Sequence, residues 1–94
     1  MRKNKTSIGK IESFTKAVGH RTRLEILLFL FAKPESSLEE IREHINSTQQ
    51  NTSNHINKML YGGVVMKKQK GNFVLHKLTE KGKKFVKFID VNFN

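Results

Sequence analysis

Residues 37–63 read SLEEIREHINSTQQNTSNHINKMLYGG, and this stretch decides the fold. Ser37 and Glu40 form an S-x-x-E capping box. Leu38, Ile41 and Ile45 then share one helical face, so a short helix over 38–45 is expected, closed by Asn46. Ser47 and Gln50 offer a second box almost at once, opening a helix whose inward positions are Thr52, Ile56, Met59 and Leu60. Gly62-Gly63 stops it. Two short helices joined by a tight turn make a helix-turn-helix.

Upstream, Ile8, Ile11, Phe14 and Val18 follow the three-to-four spacing of an amphipathic first helix that ends near Gly19. Thr22 and Glu25 supply a T-x-x-E box ahead of a second helix. Its residues Leu24, Ile26, Leu27, Leu28, Phe29, Leu30 and Phe31 make it apolar almost all round. A strand is the competing reading for so short a run, but the cap and the absence of β-branching beyond Ile26 favour a central buried helix. Lys33-Pro34-Glu35-Ser36 breaks it.

Downstream, Val64–Gln69 and Phe73–Leu78 favour strands on either side of Lys70-Gly71-Asn72, which reads as a hairpin with glycine supplying a positive φ. Thr79 is the N-cap expected for a last helix whose apolar side holds Phe85, Ile89 and Phe93, with Val86 and Phe88 beside them. The fold class is mainly α with a small β-hairpin. A basic tail over residues 1–10 is followed by one domain over 11–94.

Charge narrows the function. The 94 residues hold 18 Lys and Arg against 8 Asp and Glu, a formal net charge of +10. Residues 1–10 carry Arg2, Lys3, Lys5 and Lys10 without an acid, residues 11–57 are nearly balanced, and residues 58–87 concentrate lysines against Glu80 alone. Such asymmetry points to a polyanion. The absence of Cys excludes disulfides, thiolate zinc sites and cysteine nucleophiles. The longest apolar run, Ile26–Ala32, falls far short of the roughly 20 residues a membrane span needs, and Met1–Lys10 lacks the apolar centre of a signal peptide. A cytoplasmic protein without membrane contact is expected.

The second helix of the helix-turn-helix is the element expected to read DNA. Residues 49–58 contain five carboxamides (Gln49, Gln50, Asn51, Asn54, Asn57), one lysine and no acid. With Thr52, Ile56 and Met59 inward, Gln50, Asn54 and Asn57 turn outward, flanked by Asn51, Ser53 and Lys58. A carboxamide offers the donor and acceptor that match adenine N6 and N7 in the major groove, while Ser53 and Lys58 suit phosphates. Lys67, Lys68 and Lys70 near the hairpin tip are candidates for phosphate or minor-groove contacts.

In this order of elements the chain resembles the ArsR-like winged-helix regulators over roughly residues 11–90. Thr22-Arg23-Leu24-Glu25-Ile26-Leu27 looks like that family's T-R-L-x-I-L opening. Thr48–Val65, with Ser53, His55, Ile56 and Gly63-Val64-Val65, looks like its recognition helix and exit; Val65–Thr79 looks like its wing, with Gly71 at the tip. Leu78-Thr79-Glu80-Lys81-Gly82 is equally similar to MarR-type and PadR-type winged helices. The resemblance implies a homodimer joined through the first and last helices. Ile11, Phe14, Phe85, Phe88, Ile89 and Phe93 also offer more apolar surface than one small core needs. It does not imply the family's metal sensing, because Ser37 and Glu39 stand where metal-sensing members carry a Cys pair, and the last helix offers only Asp90 with Asn92 nearby. His20, His44, His55 and His76 fall on four elements, as solvated or capping residues. No cofactor is expected.

The function expected is therefore a dimeric, sequence-specific reader of double-stranded DNA that regulates transcription, by default as a repressor. The alternative is a winged-helix protein-interaction module in which the aromatic last helix docks a partner. No enzyme is expected, since there is no glycine-rich phosphate loop and no Ser, His and Asp that the helices would bring together.

Overall fold

Ser37 and Glu40 close the reciprocal capping box that their spacing predicts: the Ser37 hydroxyl accepts from the Glu40 amide, and the Glu40 carboxylate accepts from the Ser37 amide. The helix so started is one of five among residues 5–94, which the computed structural model describes. These are α1 (Lys5–Val18), α2 (Arg21–Ala32), α3 (Leu38–Ile45), α4 (Gln49–Tyr61) and α5 (Glu80–Phe93), with a hairpin of β1 (Val65–Lys70) and β2 (Phe73–Leu78) between α4 and α5. The expected order and fold class hold.

Asn46 ends α3 in the left-handed region (φ 53°), its amide reaching the Arg42 and Glu43 carbonyls. An asparagine tolerates this conformation better than a branched residue would. Arg42 braces the turn from the other side, donating to the Ser47 carbonyl at 3.1 Å while its fork holds Glu39 at 3.0 and 2.6 Å. The angle between α3 and α4 is thus set by local hydrogen bonds as well as by the core. Beneath them, Ile26, Leu27 and Leu30 of α2 meet Ile41, Ile56 and Met59, and Val64, Val65, Leu78 and Val86 close the core from the hairpin and α5.

Three helix starts differ from the sequence reading. α1 begins at Lys5, so residues 5–10 of the basic segment are helical; residues 1–4 of that segment lie outside the described residues. His20 rather than Thr22 caps α2, its ring Nδ1 accepting from the Thr22 amide at 3.1 Å. Thr48 rather than Ser47 caps α4, accepting from the Asn51 amide. Nor is α2 buried all round: Leu28 and Phe31 are nearly half exposed, whereas Arg23 is buried. A third strand segment escapes the periodicity altogether, since Ser36 alone pairs with His76, exchanging both backbone hydrogen bonds at 3.0 and 2.7 Å. A single residue in a Pro-containing break carries no period to detect.

The hairpin register opposes Val65 to Leu78 and Lys70 to Phe73, leaving Gly71-Asn72 as a two-residue turn with Gly71 at φ 62°. At the other end of β1, Gly62 lies against α1. A Cβ there would stand 2.6 Å from the Ser13 carbonyl oxygen and collide with the Ala17 methyl. Gly62→Ala is expected to destabilise the fold by about 1–3 kcal/mol through overpacking, lowering a circular-dichroism melting midpoint by roughly 4–8 °C per kcal/mol. An unchanged midpoint would mean that α1 can retreat from α4 without loss.

Candidate nucleic-acid interface

Thr52, Ile56 and Met59 seat α4 on the core, and Thr52 adds a 2.7 Å hydrogen bond to the Thr48 carbonyl one turn back. Rotation about the helix then turns Gln49, Gln50, Asn51, Asn54, Asn57 and Lys58 to solvent; Ser53 is only partly exposed. The Gln50 amide donates to the Asn54 side-chain oxygen at 3.3 Å, which aligns two carboxamides along the outward face. No acid occupies the first turn of α4, so the positive end of its dipole is not offset there.

A bracket that the sequence did not reveal fixes the opposite flank. Arg23, buried in α2, donates through Nη1 to His55 Nδ1 at 3.0 Å and through Nε to the Lys16 carbonyl at 3.1 Å, linking α2 to both α4 and α1. The His20 ring lies 4.9 Å from that of His55. His55 is therefore not a cap, and it is half-buried and hydrogen-bonded rather than fully solvated. Its pKa is lowered, first by burial and then by the charges of His20, Arg23 and Lys58. Because Arg23 can only donate, His55 accepts through Nδ1 in its neutral form. His76 is buried, unlike the half-buried His55; its Nδ1 donates to the Ser36 carbonyl at 3.2 Å, and burial lowers its pKa. His20 does cap a helix, and His44 stacks on Phe29 with centroids 4.2 Å apart.

The three hairpin lysines are not equivalent. Lys68 reaches Glu35 at 3.0 Å, and that contact is the main cause of the lowered Glu35 pKa. Lys67 and Lys70 are exposed beside it. Along the α1 and α5 side, Phe14 meets Phe85 edge-on at 5.3 Å, and Phe85 stacks on Phe88 at 6.0 Å. Phe14, Phe85 and Ile89 are partly buried, whereas Ile11, Phe88 (54% exposed) and Phe93 (74%) face outward. Ile8 and Val91, which the sequence reading did not assign to this surface, are exposed as well. Among the described residues no group of three or more His, Asp or Glu side chains could hold a metal ion, and no helix is long and apolar enough to cross a membrane.

Residues 18–67 match the helix-turn-helix domain family. The chain belongs to that family. Comparison with curated proteins gives no match. Among solved structures, this helix-turn-helix protein is similar to a homodimeric winged helix-turn-helix DNA-binding domain from Mycobacterium bovis, described as a possible ArsR-family transcriptional regulator. That likeness has a TM-score of 0.83 at 19% identity and covers 96% of this chain and 86% of the other. It is also similar to HlyU from Vibrio cholerae (TM-score 0.79, 21% identity, 96% and 98% covered). The transcriptional repressor PagR of Bacillus anthracis is a third (0.78, 21%, 92% and 99%). At such identities the likeness is one of fold: a winged helix-turn-helix, in which α3 and α4 form the motif and the hairpin the wing.

Half-buried His55 and buried His76 give the fold a pH dependence of defined sign. Each has a folded pKa below its ordinary value of 6.5, so the folded state favours the neutral ring. Their contribution is complete above that value and is lost as pH falls from it through the lower folded values. The wild-type urea midpoint is expected to drop between pH 7.5 and 5, above the range in which the lowered carboxylates Glu35, Glu39 and Glu40 titrate. A variant carrying His55→Asn and His76→Asn should show a flatter profile. Identical slopes for the two proteins would reject the assignment.

Proposed function

We propose that this helix-turn-helix protein is a sequence-specific double-stranded DNA-binding regulator of transcription. α4 lies in the major groove, Gln49, Gln50, Asn51, Asn54 and Asn57 face base edges, and Ser53, Lys58, Lys67 and Lys70 grip phosphates. Lys68 joins them only by releasing Glu35. The observation that carries the reading is the outward face of α4, lined by carboxamides and free of acid on a helix seated by its opposite side. Repression by occluding a promoter is the simplest consequence, because a small bound domain blocks a site by occupying it.

The working unit is a homodimer, as in the mycobacterial domain described above. Ile8 and Ile11 on α1 and Phe88, Val91 and Phe93 on α5 are large apolar side chains left exposed in one chain, and a second copy packed along these helices would cover them. Two-fold pairing there sets two α4 helices about one DNA turn apart, roughly 34 Å, on a near-palindromic site. A heteropartner on the same aromatic surface is the competing reading, and it requires neither duplex affinity nor self-association. The protein is expected to act in the cytoplasm.

Duplex affinity is expected to fall by orders of magnitude between about 50 and 200 mM salt. A titration without that fall would remove the phosphate contacts from the reading. Asn54→Ala is expected to cost discrimination of about 1–3 kcal/mol against wrong bases, while Lys67→Ala weakens specific and random duplexes alike. Phe88→Glu should shift sedimentation from dimer to monomer and weaken binding to a two-half-site duplex more than to a single half-site. Retention of the dimer would place the interface elsewhere.

A further inference from the structure

Phe73 stands at the extremity of the hairpin, directly after the Gly71-Asn72 turn, and is 70% exposed. The register sets it opposite Lys70, so ring and ammonium leave the tip on the same face. Val74, the next residue, is also exposed. Among the described residues no aromatic ring or cation packs on the Phe73 ring. A large apolar side chain at this position stabilises neither the core nor the turn. Around it the strands carry Lys67, Lys68, Lys70 and Lys77 and no acid, and among the described residues only Lys68 of these four is paired with a carboxylate, that of Glu35. A partner surface that fits this tip is therefore anionic and accepts an aromatic ring.

Position narrows the choice. β1 leaves the end of α4 through Gly62–Val64, and six residues of strand extend roughly 20 Å. Half a turn of duplex DNA is about 17 Å, so a wing that starts beside a major groove ends over the adjacent minor groove. Side chains such as Phe enter minor grooves between base steps, partly unstacking and kinking the duplex, while flanking lysines hold phosphates. We propose that Phe73 is such a wedge: it enters a base step of the minor groove beside the site read by α4, pinned by Lys67 and Lys70. The inference rests on the DNA-binding reading above. It adds a specificity that no hydrogen bond provides, because pyrimidine–purine steps unstack more easily than others and become preferred at that distance from the half-site centre.

The test uses the full chain and a duplex selected from a random library, with a fluorescent adenine analogue in the step beneath the wing. Wild type is expected to raise the analogue's emission and bend the duplex. Phe73→Ala should lose both signals and bind about tenfold more weakly, in line with the cost of one lost wedge or stack. Phe73→Trp should retain the emission change, and the melting temperature should be unaltered in both variants because the site is at the surface. If wild type and Phe73→Ala bind with equal affinity, emission and bend, the wedge is overturned while the DNA reading stands. If wild type binds no duplex, the DNA reading itself falls and the wedge with it. Phe73-dependent binding to vesicles of anionic lipid, without any emission change on duplex, would overturn the wedge in favour of a membrane surface.

Discussion

Everything that this domain offers to a partner depends on how firmly α4 is held from behind. Thr52, Ile56 and Met59 bury one side of the helix, and the Arg23–His55 hydrogen bond ties its flank to α2. The carboxamide-rich sequence of α4 has poor helix propensity, so its conformation is stabilised by tertiary packing rather than by its own residues. A helix held in this way presents its outward face with little freedom. That rigidity makes weakly polar side chains effective for recognition, because less conformational entropy is lost when they find their partners.

The bracket has a cost that is also informative. Arg23 keeps its charge while buried, and its partner is a neutral imidazole rather than a carboxylate. A carboxylate at position 55 would neutralise Arg23 more strongly, but it would also bring negative charge to a helix that otherwise carries no acid. An imidazole satisfies the guanidinium and leaves the electrostatics of α4 undisturbed. Charge is managed similarly on the wing, where Glu35 engages Lys68 and thereby orients one lysine toward the body of the protein while Lys67 and Lys70 remain free for solvent or phosphate.

Hydrophobic period and capping chemistry made most of the architecture legible. Ser37-x-x-Glu40, Asn46, Thr79 and Gly71 each act locally, within a few residues of chain, and each does what its spacing predicts. The inward positions of α4 were equally plain, since Thr52, Ile56 and Met59 obey the helical period without an interruption. Where two cap candidates lay within two residues of each other, local chemistry was degenerate: Ser47 and Thr48 compete, as do His20 and Thr22, and packing chose the helix start in both cases. The exposed halves of Leu28 and Phe31 were hidden by the same limit. An all-apolar run has no polar stripe to show which side faces away from the core.

The sequence by itself determined the order of elements, the outward carboxamides of α4 and the basic character of the wing, because periodicity, caps and charge are properties of neighbouring residues. Only the tertiary structure decided that Arg23 is buried against His55, 32 positions away, that Glu35 takes Lys68 out of the hairpin's free lysines, and that Ser36 pairs with His76. Those pairings join residues remote in the chain, and their energies depend on burial and on the direction of individual donors. Neither quantity exists until the helices have closed on one another.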